Sequence, residues 1–161
     1  MTNKILSLEE LAARAETLRA AGRRIVVTNG CFDLLHVGHV RYLQAARSLG
    51  DLLVVGVNGD DSVRKLKGAH RPINNERDRA EVVAALACVD LVAIFPEERA
   101  VRLLEKVRPA IYTKGGDYNR DSLDPGERSI LEKLGAEIRI IPFEPGYSTS
   151  ALLQKLSKSV E

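Results

Sequence analysis

Two cysteines, three histidines and almost no net charge are the scarcities that bound this 161-residue chain. Cys31 and Cys88 have no C-x-x-C spacing and suggest no disulfide framework, which fits a reducing compartment. No segment approaches the roughly 18 consecutive apolar residues that a membrane span requires. The opening MTNKILSLEE also lacks the apolar centre of a signal peptide, so the chain reads as a soluble cytosolic protein without a membrane partner. Its 24 basic and 22 acidic residues leave a formal charge of +2. That near balance argues against coating nucleic acid, so no nucleic-acid partner is expected and any basic site is local. The chain has no internal repeat, low-complexity tract or linker. With 45% hydrophobic residues it suits a single domain, 1–161, with a real core.

What is present centres on Thr28 to His39, TNGCFDLLHVGH. Ile25, Val26 and Val27 form a β-branched run that predicts a buried strand ending at the turn signal Asn29-Gly30. Beyond Gly38, the residues Val40, Leu43, Ala46 and Leu49 recur at helical spacing, and Gly50 stands where a left-handed cap would stop the helix. The loop therefore leads into a helix start. Free backbone N–H groups and the positive end of the dipole make such a start an anion site, with His36 and His39 beside it. Two histidines three apart can also be packing or surface residues. Their joint position at a strand-to-helix switch, in a chain with only three, favours ligand binding. A zinc site is weaker, because Cys31 and Asp33 are the only nearby ligand types and no second cluster follows; no metal ligand is assigned.

The remaining elements alternate. Ser7-Leu8-Glu9-Glu10 is a capping-box pattern for a leading helix running to Gly22. Leu52 to Val57 is a continuous apolar run of the parallel-strand kind. Asn58 to Ile73, NGDDSVRKLKGAHRPI, is expected to be a mobile basic loop, either a solvated turn or, given the edge it leaves from, a phosphate-binding segment. A helix follows from Asn75, with Arg79 near its start, where a cation is disfavoured unless an anion is near. Leu91 to Phe95 predicts a strand, Pro96-Glu97-Glu98 a helix start, and Ala110 to Thr113 a strand leading into Lys114-Gly115-Gly116-Asp117-Tyr118. The paired glycines fit either close backbone approach to a ligand or a tight turn. Asp124-Pro125-Gly126-Glu127 opens a helix that Gly135 closes, Ile138 to Ile141 is the last strand, and Ser148-Thr149-Ser150 starts a final helix. Those hydroxyls suit capping better than phosphate binding. The pattern predicts an α/β fold: a Rossmann-like, open, largely parallel sheet of five strands with helices on both faces. G-x-G-x-x-G is missing after the first strand, which disfavours a dinucleotide dehydrogenase.

The segments TNGCFDLLHVGHV, KLKGAHRPIN, KGGDY and PGYSTS, in that order, resemble the H-x-G-H nucleotidyltransferase superfamily and within it the adenylyltransferase domain of bacterial heptose 1-phosphate enzymes. The likeness covers about 24–156, the expected catalytic core behind the leading helix. It implies attack of a sugar 1-phosphate on the α-phosphorus of ATP, giving an ADP-sugar and pyrophosphate. It implies that His36, His39, Lys65 and Lys67 meet phosphates, that Arg79 clamps the leaving group, and that Gly38 belongs to the H-x-G-H turn. Thr28, Asn29, Gly30 and Phe32 would pack near nucleotide and substrate. Lys114, Gly115 and Asp117 would shape the base pocket, and Ser148 and Thr149 would meet phosphate at the last helix start. Mg2+ would be carried mainly on the ATP phosphates. A homodimer is expected by analogy. A sugar kinase, fused to this domain in many relatives, is expected as a separate upstream protein or as a missing part. Alternatives are a cytidylyltransferase for glycerol phosphate or a similar alcohol phosphate, and a nucleotide-binding module without chemistry. Binding alone would not require both histidines, both lysines and Arg79.

Overall fold

A computed structural model describes residues 3–116, 121–142 and 145–159. The elements run α1 (Leu8–Ala20), β1 (Ile25–Gly30), α2 (Val37–Arg47), β2 (Leu52–Asn58), α3 (Asp60–Lys67), α4 (Glu76–Ala84), β3 (Leu91–Phe95), α5 (Val101–Val107), β4 (Ile111–Gly115), α6 (Pro125–Leu134), β5 (Glu137–Ile141) and α7 (Thr149–Lys158). All five strands are parallel, in the order β3-β2-β1-β4-β5. The Rossmann-like sheet expected from the alternating pattern is the fold observed.

The period of two along a strand divides the core. Ile25 and Val27 of β1, with Val54 and Phe95, meet α1, α5 and α6 through Leu11, Leu103, Leu104 and Leu131. Val26, with Leu53, Val55 and Val57, meets α2 and α4 through Leu43, Ala46, Ala80 and Val83. Burial on both faces explains why β1 and β2 read as continuous apolar runs. The capping box of α1 forms as expected: Glu10 N–H donates to Ser7 Oγ at 3.2 Å, and Ser7 N–H donates to the Glu10 carboxylate at 2.8 Å. Asp124 caps α6 and Gly135 closes it at φ 66°.

Three local expectations are corrected. Residues 58–73 are not one loop, because α3 occupies Asp60–Lys67. Gly59 and Gly68 flank this helix rather than break it: Gly59 N–H bonds Phe95 O at 2.8 Å, and Gly68 takes φ 104° at the C-cap. Asp60 and Asp61 in the first turn, with Arg64, Lys65 and Lys67 in the last, suit the helix dipole. The helix after β3 begins at Val101 rather than at Pro96. Asn58 Nδ2 donates to Glu97 O at 3.3 Å, and the Ala100 N–H is capped by Glu127, which fixes residues 96–100 as a turn. Gly50 is not a left-handed cap. A Cβ there would lie 2.7 Å from both Arg24 O and Val26 Cγ2, so its bareness permits close packing against β1.

Candidate active site

The chain runs outward from β1 to β2 and β3, then returns to β4 on the other side of β1. In such sheets ligands bind outside the carboxyl ends of the strands where the order reverses. The two ends meeting there are Asn29-Gly30 of β1 and Lys114-Gly115 of β4. These are the two strand ends singled out from sequence, and the fold makes them neighbours.

The start of α2 is tied to that edge by a buried ring of hydroxyls. Thr28 Oγ1 lies 2.7 Å from Tyr42 Oη and donates to Thr113 O at 3.1 Å, and Tyr42 Oη lies 3.1 Å from Thr113 Oγ1. The donors close consistently, Thr113 to Tyr42, Tyr42 to Thr28, and Thr28 to the Thr113 carbonyl. Burial raises the Tyr42 phenol above its usual value, partly countered by the Thr113 and Thr28 bonds. Asn29 Oδ1 accepts from Tyr112 Oη at 2.7 Å. Thr28 and Asn29 thus build the floor of the site.

From Gly30 the chain turns at Phe32, which sits at φ 47° with its ring over Gly30. His36 then forms the extended N-cap residue of α2, and its ring centroid lies 3.9 Å from that of His39. A Cβ on Gly38 would come within 2.9 Å of His36 Nδ1 and of Tyr147 Cβ, so glycine lets the imidazole pack against the helix start. The first turn of α2 carries no acidic residue, leaving the positive end of its dipole uncompensated. His36 Nδ1 is buried without a hydrogen-bond partner.

Burial holds both imidazoles below the usual histidine range; His39, which also feels His36, is lowered to about 4. Both rings are therefore neutral at neutral pH, each with one N–H to donate. Unfolded His39 binds its proton near pH 6.5 and folded His39 only near 4, so the unfolded chain binds more protons between those values. Stability should fall as pH drops through that window. Melting curves at pH 7 and pH 5 should show a smaller loss for His39→Gln than for wild type. Equal losses would contradict a buried, neutral ring.

The histidine loop is braced from the other side by two buried ions. Asp33 accepts from Arg71 Nε at 2.5 Å, from Ile73 N–H at 2.8 Å and from Asn74 N–H at 3.1 Å. Burial pushes its carboxyl up, but the bonds from Asn74, Arg71 and Ile73 outweigh this and hold it below its usual value. Arg79, with a side chain 0% exposed, donates to Asn74 O at 2.9 Å, Cys31 O at 2.6 Å and Asp60 Oδ1 at 2.8 Å. Arg79 thus stands inside the protein, joining the histidine loop, the segment before α4 and the start of α3. Lys67 ends α3 close enough to Cys31 to act on its thiol, which burial nevertheless raises. Lys65 is exposed and turned to Glu98, 3.5 Å away, so this conformation does not bring it to the histidines.

On the β4 side, Lys114 Nζ lies 3.2 Å from Tyr112 Oη and 3.8 Å from the buried Glu127 carboxylate. Gly115 ends the strand, Gly116 takes φ 87°, and Asp117 lies outside the described residues. The α7 start closes the remaining side. Ser148 caps that helix through Ala151 N–H at 3.0 Å, in line with the capping preference read from sequence, and Thr149 Oγ1 donates to Leu34 O at 3.3 Å. Tyr147 lies 6.5 Å from the His36 ring, with the Arg41 guanidinium 5.8 Å from its centroid.

Among the described residues, no group of three or more His, Cys, Asp or Glu could hold a metal ion. Asp33 and Asp60, the acids that brace the histidine loop, are engaged by Arg71 and Arg79. The donor set therefore does not fit a protein-held cation. No helix among the described residues is long and apolar enough to cross a membrane. Sequence reasoning gave no part in the site to Tyr42 and Asn74, placed Glu127 only in the start of a helix, and weighed Asp33 only as a metal ligand. Asp33 had a signal, a charge inside an otherwise apolar loop. The others become legible only once the strands are placed side by side.

A five-stranded doubly wound sheet with a histidine-bearing helix start at its switch point defines an α/β protein built to bind an anionic ligand at that edge. Residues 27–155 match the family described as cytidylyltransferase-like, and the chain belongs to it. It is 49% identical over 153 residues to the bifunctional protein HldE of Geotalea uraniireducens, covering 95% of this chain and 31% of that protein. A second protein of that name, from Bradyrhizobium sp., is 52% identical over 146 residues, covering 91% of this chain and 29% of its own length. The chain thus spans about a third of these relatives. The crystal structure of the lipopolysaccharide core biosynthesis protein from Thermoplasma volcanium aligns with TM-score 0.63 and 33% identity, covering 76% of this chain and 98% of that one. Pantoate-beta-alanine ligase from Francisella tularensis shares the fold, with TM-score 0.59 at 13% identity over 91% of this chain and 68% of that one.

Proposed function

We propose that this chain transfers AMP from ATP to heptose 1-phosphate, giving an ADP-heptose and pyrophosphate. The observation that carries the reading is the pair of neutral histidines at an uncompensated helix start on the β1–β4 edge. The four motif segments, the relatives named HldE and the relative titled for lipopolysaccharide core biosynthesis support the sugar assignment. A phosphate oxygen of the sugar 1-phosphate attacks the α-phosphorus of ATP. The bond from that phosphorus to the oxygen bridging the β-phosphorus breaks, and pyrophosphate leaves with the electron pair. No enzyme-linked intermediate forms, so the protein's work is to position two polyanions and stabilise charge.

In this reading His36 and His39 donate N–H groups to the nucleotide phosphates, and Gly38 lets the backbone approach them. Thr28, Asn29, Gly30 and Phe32 form the floor beneath the nucleotide and substrate. Lys114, Gly115 and Asp117 shape the base pocket. Ser148 and Thr149 hold the start of α7 where it meets phosphate. Lys67 contacts a reacting phosphate directly, whereas Lys65 does so after leaving Glu98. Arg79 serves by holding the loop in place. Mg2+ carried by the triphosphate would supply charge neutralisation when bound, with no carboxylate cluster for it among the described residues. The sugar 1-phosphate would come from a sugar kinase, and a cytoplasmic site follows from the use of ATP.

Two tests follow. Phosphorus NMR of the full chain with ATP, Mg2+ and heptose 1-phosphate should develop the two coupled resonances of a sugar diphosphate together with pyrophosphate. ATP consumption that yields only ADP or AMP with inorganic phosphate, and neither ADP-sugar nor pyrophosphate, would overturn the reading. Lys67→Ala should lower kcat/KM at least tenfold, the scale of a lost charge-assisted phosphate contact of about 1.5–3 kcal/mol. ATP should also protect residues 65–71 from protease. Unchanged digestion at saturating ATP and Mg2+ would leave the end of α3 and the residues after it without a phosphate role.

A further inference from the structure

Glu127 is read from sequence only as the acid near the start of α6, yet its carboxylate turns away from that helix start. The Glu127 side chain is 2% exposed. Its own N–H is satisfied by Asp124 Oδ1 at 3.1 Å, and Oε1 accepts the Ala100 N–H at 2.8 Å, closing the start of α5. Oε2 faces the opposite way, 3.4 Å from Tyr112 Oη and 3.8 Å from Lys114 Nζ. Tyr112 Oη in turn donates to Asn29 Oδ1 at 2.7 Å, and Lys114 Nζ lies 3.2 Å from Tyr112 Oη. One buried carboxylate on α6 therefore holds polar groups at the carboxyl ends of both β1 and β4, the strands that flank the switch point. A buried carboxylate is tolerated only when paired and hydrogen-bonded, so its geometry constrains the groups it faces.

We propose that Glu127 is a positioning residue for the nucleotide: Oε1 secures the turn before α5, while Oε2 fixes the Lys114 ammonium, which donates to Tyr112 Oη and so, through the Tyr112 hydroxyl, fixes the Asn29 side chain at the binding edge. The proposal rests on the nucleotidyltransferase reading above. It adds a residue outside all four motif segments and separates the structural oxygen from the functional one. Glutamine keeps an oxygen for Ala100 and removes the charge facing Lys114, so Glu127→Gln tests the second role while sparing the first.

The experiment uses the full chain, with Glu127→Gln, Lys114→Met and the double variant. ATP binding with Mg2+ is measured by calorimetry, kcat and KM for ATP by pyrophosphate release, and melting temperature in parallel. Wild type that neither binds ATP nor releases pyrophosphate would sink the underlying reading rather than this inference. Given an active wild type, Glu127→Gln should melt near wild type, with KM and Kd for ATP raised about tenfold and kcat changed less than threefold. Lys114→Met should lose at least as much, and the double variant should be no worse than Lys114→Met alone, because Glu127 acts through the Lys114 ammonium. Wild-type KM and Kd in Glu127→Gln, a loss confined to kcat, or additive losses in the double variant would overturn the proposal. Should Glu127→Gln fail to fold, Lys114→Met decides alone, and wild-type ATP affinity there overturns it.

Discussion

Replacing His36 or His39 with alanine should lower turnover by about a hundredfold or more while leaving the fold intact. The argument is geometric. Both rings stand at the start of α2, 3.9 Å apart, where the helix dipole is uncompensated, and both are held neutral by burial. A neutral N–H aimed at a phosphate oxygen acts most where charge grows during displacement, so its loss should appear in kcat more than in binding. Both histidines are only partly buried, at the rim of the sheet rather than between it and its helices, so unfolding should change little. Circular dichroism and melting curves establish folding, and single-turnover kinetics read the chemical step. A folded variant of either histidine with near wild-type turnover would remove the pair from the chemistry.

Arg79→Met should destabilise the protein by about 3 kcal/mol, which for a chain of this size lowers Tm by about 6–12 °C. Methionine keeps most of the side-chain volume, so the loss reports broken polar contacts rather than a cavity. Arg79 is fully buried and bonds the carbonyls of Asn74 and Cys31 as well as Asp60. Removing it takes three hydrogen bonds from partly buried acceptors and unties the three segments they belong to. An arginine that only clamps a leaving group would show the opposite pattern, reduced turnover with unchanged Tm. Activity of Arg79→Met should also fall, because the loop carrying Cys31 to His36 loses its brace. The stability change separates the two roles.

These contrasts mark how far the sequence is legible. The strands β1 and β2 are readable because burial on both faces leaves an unbroken apolar run, and α1 and α6 because their caps are local chemistry. The histidine loop is readable because its residue types and spacing lie within one segment. The helix α3 is hidden because Gly59 and Gly68 are the same residues whether they break a helix or bound one. Groups distant in sequence, the Phe95 carbonyl that accepts the Gly59 N–H and the Glu76 carboxylate that accepts the Asp60 N–H, decide between those readings. Arg79 near a helix start signals a nearby anion, and the anion it meets, Asp60, belongs to the chain itself, as do the two carbonyl oxygens that share the guanidinium. Glu127 reaches Lys114 from α6, and Tyr42 meets Thr28 and Thr113 together, a contact that depends on β1 pairing with β4. Local spacing cannot encode that register.

The most direct test of adenylyl transfer to a heptose is a ratio of catalytic efficiencies: ATP with heptose 1-phosphate against CTP with glycerol 3-phosphate, in one buffer at one Mg2+ concentration. A site that pairs polar groups with one base leaves them unpaired when the wrong base enters, and such mismatches can separate substrates by factors of about 10⁴. The account predicts a kcat/KM ratio of at least about a hundred in favour of ATP and heptose 1-phosphate, the lower range of such discrimination. A ratio near one, or one favouring CTP and glycerol 3-phosphate, would contradict it.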